Sequence, residues 1–366
     1  MEAGCSAGTA RAEASRMNTL TRFKAAGALV PASTSWYLAD LGEFRGKQVL
    51  YTRQSPQRFK TLREHALIES AISSNRIEGV VVETNRVREL VLGRPLLRDR
   101  DEEEVRGYRD ALKLIHGEGA KLPLTEKTAR KLHRLARGEI WDAGKYKVKD
   151  GDIIERGADG TERVRFKTVP AKATPKSMIA LIRDWQDCWK EEWVHPLIAL
   201  AAFNLDFLCI HPFRDGNGRV SRLLLLLQCY HLGYEVGRYI SLERLIEQNK
   251  ERYYETLEQS SHRWHEGKHD PWPYINYVLF ILKSAYREFV DRVGDVQAPR
   301  GSKTEQVLQA IRQLPAEFTL SQLEQVCPGV SRDMVRRVLR GQSGTLVACR
   351  GRGPGALWAR LAQKKR

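Results

Sequence analysis

The stretch His211-Pro212-Phe213-Arg214-Asp215-Gly216-Asn217-Gly218-Arg219-Val220-Ser221-Arg222 concentrates residue types that can do chemistry. An apolar run ends near Ile210, and a new one begins near Arg219. The loop between them is rich in glycine. Gly216 and Gly218 let backbone N–H groups converge without side-chain obstruction, and the helix expected after them turns its positive N-terminus to the same point. That combination makes an anion hole. Arg219 and Arg222 are three apart, so both lie on one face of the first turn and can reach a polyphosphate. Asp215 offers a hard oxygen suited to Mg²⁺. His211, at the loop mouth, is the residue there best suited to act as a base near neutral pH. A plain surface loop with solvated arginines would not need all of these together.

Helices must position this loop. Helical spacing of apolar residues is expected over 59–71, 101–115 and 124–137. It returns over 177–193, 195–208, 219–232, 243–260 and 271–293. Gly79 reads as a C-cap after Ile77-Glu78, and Thr125 as an N-cap. Between 144 and 170 the texture changes. Residues 145–149, Ile153-Ile154 and 164–169 are β-prone, with a turn at Gly157-Ala158-Asp159-Gly160, so a hairpin is expected inside a helical protein. Residues 1–35 show no sustained period and read as a flexible tail, within which Met17 is a second candidate start. A linker is expected at 294–302. Beyond it, helices at 303–314, 320–326 and 331–340 precede β-prone pieces at 345–349 and 356–359, the order of a winged helix-turn-helix.

The 366 residues suffice for two or three domains, and 42 % apolar content excludes a disordered chain. A net charge of +16 excludes an acidic solvating protein and admits nucleic acid, nucleotide phosphate or an anionic surface as partners. The six cysteines are scattered singly, which disfavours a zinc ribbon or a disulfide framework. No apolar run approaches the ~20 residues of a membrane span. A soluble, cytoplasmic protein with no membrane role is therefore expected.

The 211–222 stretch resembles the signature of the Fic family, HPFxDGNGRxxR, at every fixed position, and the resemblance covers about residues 36–293. It implies a mainly α fold, a helical core with a β-hairpin flap, here followed by a small winged-helix domain. The implied division is an N-terminal helical region over 36–120, a catalytic core over 121–293 and the winged helix over 300–366. The implied activity is transfer of AMP from ATP to a Tyr, Thr or Ser hydroxyl of a target protein, and of the chain itself, with ATP and Mg²⁺ required. By resemblance His211 would deprotonate the acceptor hydroxyl and Asp215 would position Mg²⁺. Gly216, Asn217 and Gly218 would hold the α-phosphate, Arg219 would contact the β-phosphate region and Arg222 the γ-phosphate. Phe213 would anchor the loop, and Ser221 counts with the nucleotide-binding set. The phosphotransferase branch has Ala and Lys where this chain has Gly216 and Gly218, which argues against a kinase-like member.

Ser74-Asn75-Arg76-Ile77-Glu78-Gly79 is similar to the family's inhibitory-helix pattern, [S/T]xxxE[G/N]. Ser74, Glu78 and Gly79 would carry it, with Glu78 occupying the Arg222 guanidinium; in some relatives the corresponding Glu instead aligns a water for AMP removal. The hairpin would be the flap, with Ile153 and Ile154 as its apolar contacts, and Tyr253-Tyr254 match a pair lining the adenine pocket. The remaining histidines show no metal-ligand spacing.

Residues 300–366 hold 13 Lys/Arg against 4 Asp/Glu, a net of +9. Arg332, Arg336, Arg337 and Arg340 fall where a recognition helix would, and Arg350 and Arg352 in the wing. Two alternatives thus stay beside AMP transfer: a duplex-DNA-binding regulator with the core as nucleotide sensor, and a de-AMPylating enzyme. A homodimer is left open.

Overall fold

The computed structural model describes residues 19–24, 29–52, 56–93, 95–156, 160–297, 302–327, 330–351 and 356–361. It divides into two compact units, Met1–Val290 and Asp291–Arg366. The first is mainly helical, as expected. Its described elements are α1 (Thr19–Arg22), α2 (Ala32–Thr52), α3 (Pro56–Ile77), α4 (Thr84–Leu92), α5 (Arg100–Glu118) and α6 (Glu126–Arg137). The hairpin β1 (Ile153–Arg156) and β2 (Glu162–Phe166) follows. Then come α7 (Thr174–Glu191), α8 (Pro196–Ile210), α9 (Asn217–His231), α10 (Leu242–Gln248), α11 (Lys250–Ser261) and α12 (Trp272–Gln297).

Helices α8 and α9 form the centre. Every residue of α8 from Leu197 to Ile210 is buried, and α9 is buried from Val220 to Tyr230. A helix that is apolar all round must be enclosed by others. Here α1, α7 and α11 pack on α8, and α3, α5 and α6 pack on α9; α3 also packs against α5 and α10. The caps fall as read from sequence. Thr125 accepts from the Thr128 amide at 3.1 Å, and Gly79 adopts φ +85°, the left-handed region that glycine enters at no steric cost.

Four expectations change. First, part of the expected tail is built into the fold: α1 buries Thr19 and Leu20, and Phe23 just after it is buried too. Asp206 of α8 accepts from the Thr19 and Leu20 amides at 2.9 and 3.2 Å and from Trp264 Nε1 at 2.7 Å. One turn is too short to show a period, so the signal lies in its buried partner. Residues 1–18 and 25–28 lie outside the described residues. Second, residues 145–149 form no strand. The Lys147 amide donates to the Pro212 carbonyl at 2.9 Å, and its Nζ to Thr168 Oγ1 at 2.7 Å, so this segment is cross-linked to the motif loop instead of joining a ladder. Third, the helix expected over 243–260 breaks at Asn249 (φ −119°, ψ 35°), whose side chain donates to the Leu245 carbonyl at 2.9 Å. Fourth, α2, α4 and the strand at 317–319 have no counterpart in the sequence reading.

The hairpin is antiparallel, with Ile154 opposite Val164 and an irregularity between Ile153 and Ile154. Its expected turn at 157–159 lies outside the described residues. No helix among the described residues is long and apolar enough to cross a membrane.

The second unit holds α13 (Ser302–Gln313), β3 (Glu317–Thr319), α14 (Leu320–Gln325), α15 (Arg332–Gly341), β4 (Val347–Arg350) and β5 (Leu357–Arg360). Its sheet order is β3-β5-β4, antiparallel throughout. Val307, Ile311, Phe318, Leu323, Val335, Leu339 and Val347 make its core. Arg332, Arg336, Arg337 and Arg340 are exposed on α15, Arg332 pairing with Glu324 at 3.3 Å. Arg352 and the turn at 328–329 lie outside the described residues.

Candidate functional site

The motif loop is held from beneath by aromatic stacking and by its own asparagine. Phe213 is buried and stacks on the His133 imidazole of α6, centroids 3.8 Å apart and rings nearly parallel. His133 Nε2 lies 3.0 Å from the Asp215 carbonyl, and its Nδ1 accepts from the Gly144 amide at 2.8 Å. A carbonyl only accepts, so Nε2 carries the proton and the ring is neutral. Burial pushes its pKa down to about 4. The Asn217 side chain accepts from the Phe213 amide at 2.9 Å and donates to the Phe213 carbonyl at 2.8 Å. That carboxamide therefore closes the loop, leaving only the Asn217 backbone amide to face an anion.

His211 caps α8 in a left-handed conformation, φ +51° and ψ 62°. Its Nδ1 lies 3.3 Å from the Leu208 carbonyl, which places the proton there and leaves Nε2 as the basic nitrogen. Burial, with the Lys147 ammonium nearby, lowers its pKa to about 4, so the base form prevails at neutral pH.

Both signature arginines are buried and already engaged by carboxylates. Arg222 donates from Nε to Ser74 Oγ at 2.9 Å, and from Nη2 to the Ser74 carbonyl at 2.9 Å and Glu78 Oε1 at 2.8 Å. Arg219 pairs with Glu104 of α5 and donates to Asn75 Oδ1 at 3.2 Å. Glu104, itself buried, also takes Arg137 at 2.6 Å and Arg100 at 3.1 Å. Arg222 Nη1 and Arg219 Nε are buried without a hydrogen-bond partner. A donor left unpaired at such depth suits an incoming anion. A Cβ on Gly218 would collide with the Glu78 carboxylate and lie 3.2 Å from Arg222 Nη1. A side chain here would therefore displace the movable tip of Glu78. Ser221 is buried and donates to the Gly218 carbonyl at 2.9 Å.

Asp215 exposes 57 % of its side chain and pairs with Arg137 at 2.8 Å. Burial opposes its ionisation, but Arg137 and Arg219 outweigh burial and hold it below the usual carboxylate range. An ionised, accessible carboxylate fits a hard divalent ion. Among the described residues no three His, Cys, Asp or Glu side chains cluster as a metal cage. Such an ion would take one protein oxygen here and its remaining ligands from phosphates and water, as Mg²⁺ commonly does.

A cavity of about 400 Å³ gathers seven of the expected residues, Glu78, Ile153, Ile154, His211, Gly218, Tyr253 and Tyr254, while Asp215 and Arg219 line a neighbouring pocket with Glu78, Glu104 and Arg137. Tyr253 is buried and meets Tyr254 edge-to-face at 5.1 Å. Sequence reading missed Arg165, which spans the hairpin and α11: it donates to the Tyr254 carbonyl, pairs with Glu258 at 3.2 Å and lies 5.5 Å over the Tyr254 ring. It also missed Asn75, Glu104, His133, Arg137 and Lys147. The four consecutive acids Asp101 to Glu104 on α5 carry no mark of which will face the motif arginines. Asn75, inside the quoted Ser74–Gly79 pattern, was the one with a usable signal.

Residues 123–229 match the model of the Fic/DOC family. Curated relatives include Protein adenylyltransferase Fic of Nematostella vectensis, 25 % identical over 227 residues, 59 % of this chain and 47 % of that protein. The protein of the same name from Drosophila willistoni is 29 % identical over 134 residues, 36 % of this chain and 25 % of that protein. The chain thus spans half or less of the length of these relatives. A solved Fic family protein from Desulfovibrio desulfuricans superposes with TM-score 0.60 at 24 % identity, covering 92 % of this chain and 98 % of that one. A Fic domain containing signaling protein from Bacteroides thetaiotaomicron gives 0.58 at 21 %, covering 70 % and 98 %. Residues 123–229 are thus similar to the Fic/DOC family, and the fold is shared with solved Fic proteins.

Glu104 neutralises two buried guanidiniums. Glu104→Ala is expected to cost about 3–5 kcal/mol, the usual loss when one partner of a buried ion pair is removed. Urea unfolding of wild type and variant measures it.

Proposed function

We propose that this protein is an adenylyltransferase that moves AMP from ATP to a Tyr, Thr or Ser hydroxyl of a target protein and of itself, restrained by Glu78. One observation supports this most. A neutral histidine whose Nδ1 faces a carbonyl lines the same cavity as Gly218 of the glycine loop and an aromatic pair, with two buried arginines behind the loop. That set matches one chemistry, in which an acceptor oxygen attacks the α-phosphorus of a bound nucleotide, pyrophosphate leaves, and the acceptor's proton passes to His211 Nε2. Tyr253 and Tyr254 offer the adenine a wall, and Gly216 to Gly218 offer amides to the α-phosphate. Arg219 and Arg222 offer charge to the outer phosphates. Asp215 would hold Mg²⁺, which when bound neutralises charge on the α- and β-phosphates.

Glu78 supports the restraint, because its carboxylate takes a donor of the guanidinium that a γ-phosphate would need. Ser74 and Gly79 serve this arrangement, one fixing Arg222 and the other ending α3 so that Glu78 faces the loop. Hydrolytic removal of AMP by a water aligned on Glu78 is the companion reading of the same geometry.

In Glu78→Gly, self-labelling from α-labelled ATP should rise at least about tenfold, and His211→Ala in that background should abolish it. Intact mass spectrometry, which reads one added AMP per site, checks both. Retained label in the His211→Ala protein overturns the assignment.

The pH profile carries a second test. His211 loses its basic form only as pH falls through its folded pKa of about 4. The labelling rate of Glu78→Gly should therefore hold from pH 8 down to about pH 5, whereas an unshifted histidine would halve it near pH 6.5. Initial rates across that range decide between the two.

The second unit supports an additional role. Its helix–helix–helix arrangement beside an antiparallel sheet, with four exposed arginines on α15, suits a winged helix laid on duplex DNA. A full-length chain with Arg336→Glu and Arg337→Glu should lose most of any duplex affinity, and wild-type affinity should fall steeply with salt. Anisotropy over a salt series measures this; no wild-type binding at low salt removes the role.

A further inference from the structure

His211 lines two cavities. Besides the one shared with Glu78 and the tyrosines, it borders a groove of about 450 Å³ walled by residues 141–152, Phe213 and Arg214. The first cavity holds Gly218 of the phosphate loop and the Tyr253-Tyr254 pair, which on the transferase reading take the nucleotide. An acceptor hydroxyl must then reach the imidazole from the second. This follows only if the transferase reading holds.

Tyr146 ties that groove to the exposed face of α6. Its hydroxyl donates to Glu126 at 2.9 Å, the Arg130 guanidinium lies 5.6 Å over its ring, and the ring meets Phe213 at 5.6 Å. The same face of α6 exposes Lys127, Arg130, Lys131 and Arg134, lining a shallow depression whose only acid is Glu126, already spent on Tyr146. Lys145 and Lys149 extend the charge along the groove, and Trp141 is 64 % exposed at its rim with Arg214 stacked 5.5 Å away. Three carboxylates also line the groove: Asp142 is buried, Asp150 caps the Ala171 amide at 2.6 Å, and Asp152 is exposed, against the exposed Lys145, Lys149 and Arg214 there and the four cations of the α6 face. On the transferase reading the acceptor is a polypeptide hydroxyl, so the sequence flanking it is what meets this charge.

We propose that the acceptor is held by an acidic polypeptide segment: Asp/Glu-rich sequence flanking the modified hydroxyl lies on the α6 stripe of Lys127, Arg130, Lys131 and Arg134, and delivers the hydroxyl through the 141–152 groove to His211. Rim charges of this kind steer and select partners more than they add raw affinity.

The test uses the full-length chain and two fluorescein-labelled peptide pools. Each pool has a central Ser, Thr or Tyr, flanked in one by Asp/Glu and in the other by Lys. Anisotropy should give about tenfold tighter binding of the acidic pool at low salt, weakening as salt rises. Lys127→Glu/Lys131→Glu/Arg134→Glu should erase that preference. Equal binding of the two pools overturns the proposal, as does an acidic preference untouched by the triple variant, which would place the contact elsewhere on this basic chain. An oligonucleotide that binds the stripe and displaces the acidic pool assigns it to nucleic acid and overturns it too. Binding does not depend on turnover. Self-labelling of Glu78→Gly, measured alongside, therefore separates failure of this surface from failure of the transferase reading.

Discussion

Two arginines of the motif helix are buried, and a buried guanidinium is intolerable without a carboxylate close by. Much of the surrounding architecture answers that constraint. Arg219 is almost wholly buried and Arg222 is 3 % exposed. Their partners come from different helices: Glu78, Ser74 and Asn75 from the end of α3, Glu104 from α5. Helix α9 brings the charges inward, and α3 and α5 pack where they can neutralise them. Arg137 of α6 shares Glu104 and passes the network on to Asp215. The loop's glycines and its metal-suited carboxylate are therefore set by a charge network running through four helices.

The histidines meet a different demand. His211 and His133 are both held neutral by burial, and for each the carbonyl it faces decides which nitrogen keeps the proton. At His133 this serves support, since a neutral ring can lie flat against Phe213 and still donate to the loop. At His211 it leaves the free nitrogen between two cavities. The same physical effect thus fixes a scaffold in one place and prepares a base in the other.

What the sequence discloses depends on whether a residue's partner is near in the chain. The 211–222 loop, the Gly79 cap and the Thr125 cap are local devices, and each was legible. Tyr253, Tyr254, Ile153 and Ile154 were named through resemblance, and the fold brings them into one cavity with His211. Glu104 could not be found, because it sits among Asp101, Glu102 and Glu103, and only tertiary packing buries Glu102 against Arg86 and Glu104 against Arg219. The α1 turn was hidden for the same reason: Thr19 and Leu20 look like tail until Asp206, 186 residues or more away, takes their amides. Residues 145–149 were misread because β-branched and aromatic content says nothing of whether a ladder partner exists.

The two carboxylates facing the arginines are not equivalent, and the difference bears on regulation. Glu104 is 4 % exposed and serves three guanidiniums, so displacing it would strand charges in a medium of low polarity. Glu78 is 26 % exposed, lies on the turn just past the end of α3 and accepts from Arg222 Nη2. A partly solvated carboxylate on a turn gives up less when it leaves, because water reclaims it and Arg222 keeps its two bonds to Ser74. On the proposed reading, a nucleotide's outer phosphate exchanges with Glu78, anion for anion, while Glu104 holds Arg219 in place throughout. The restraint then belongs to the weaker of two otherwise similar ion pairs. Anything that shifts the end of α3, or binds near residues 78–80, would change activity without disturbing the buried network beneath.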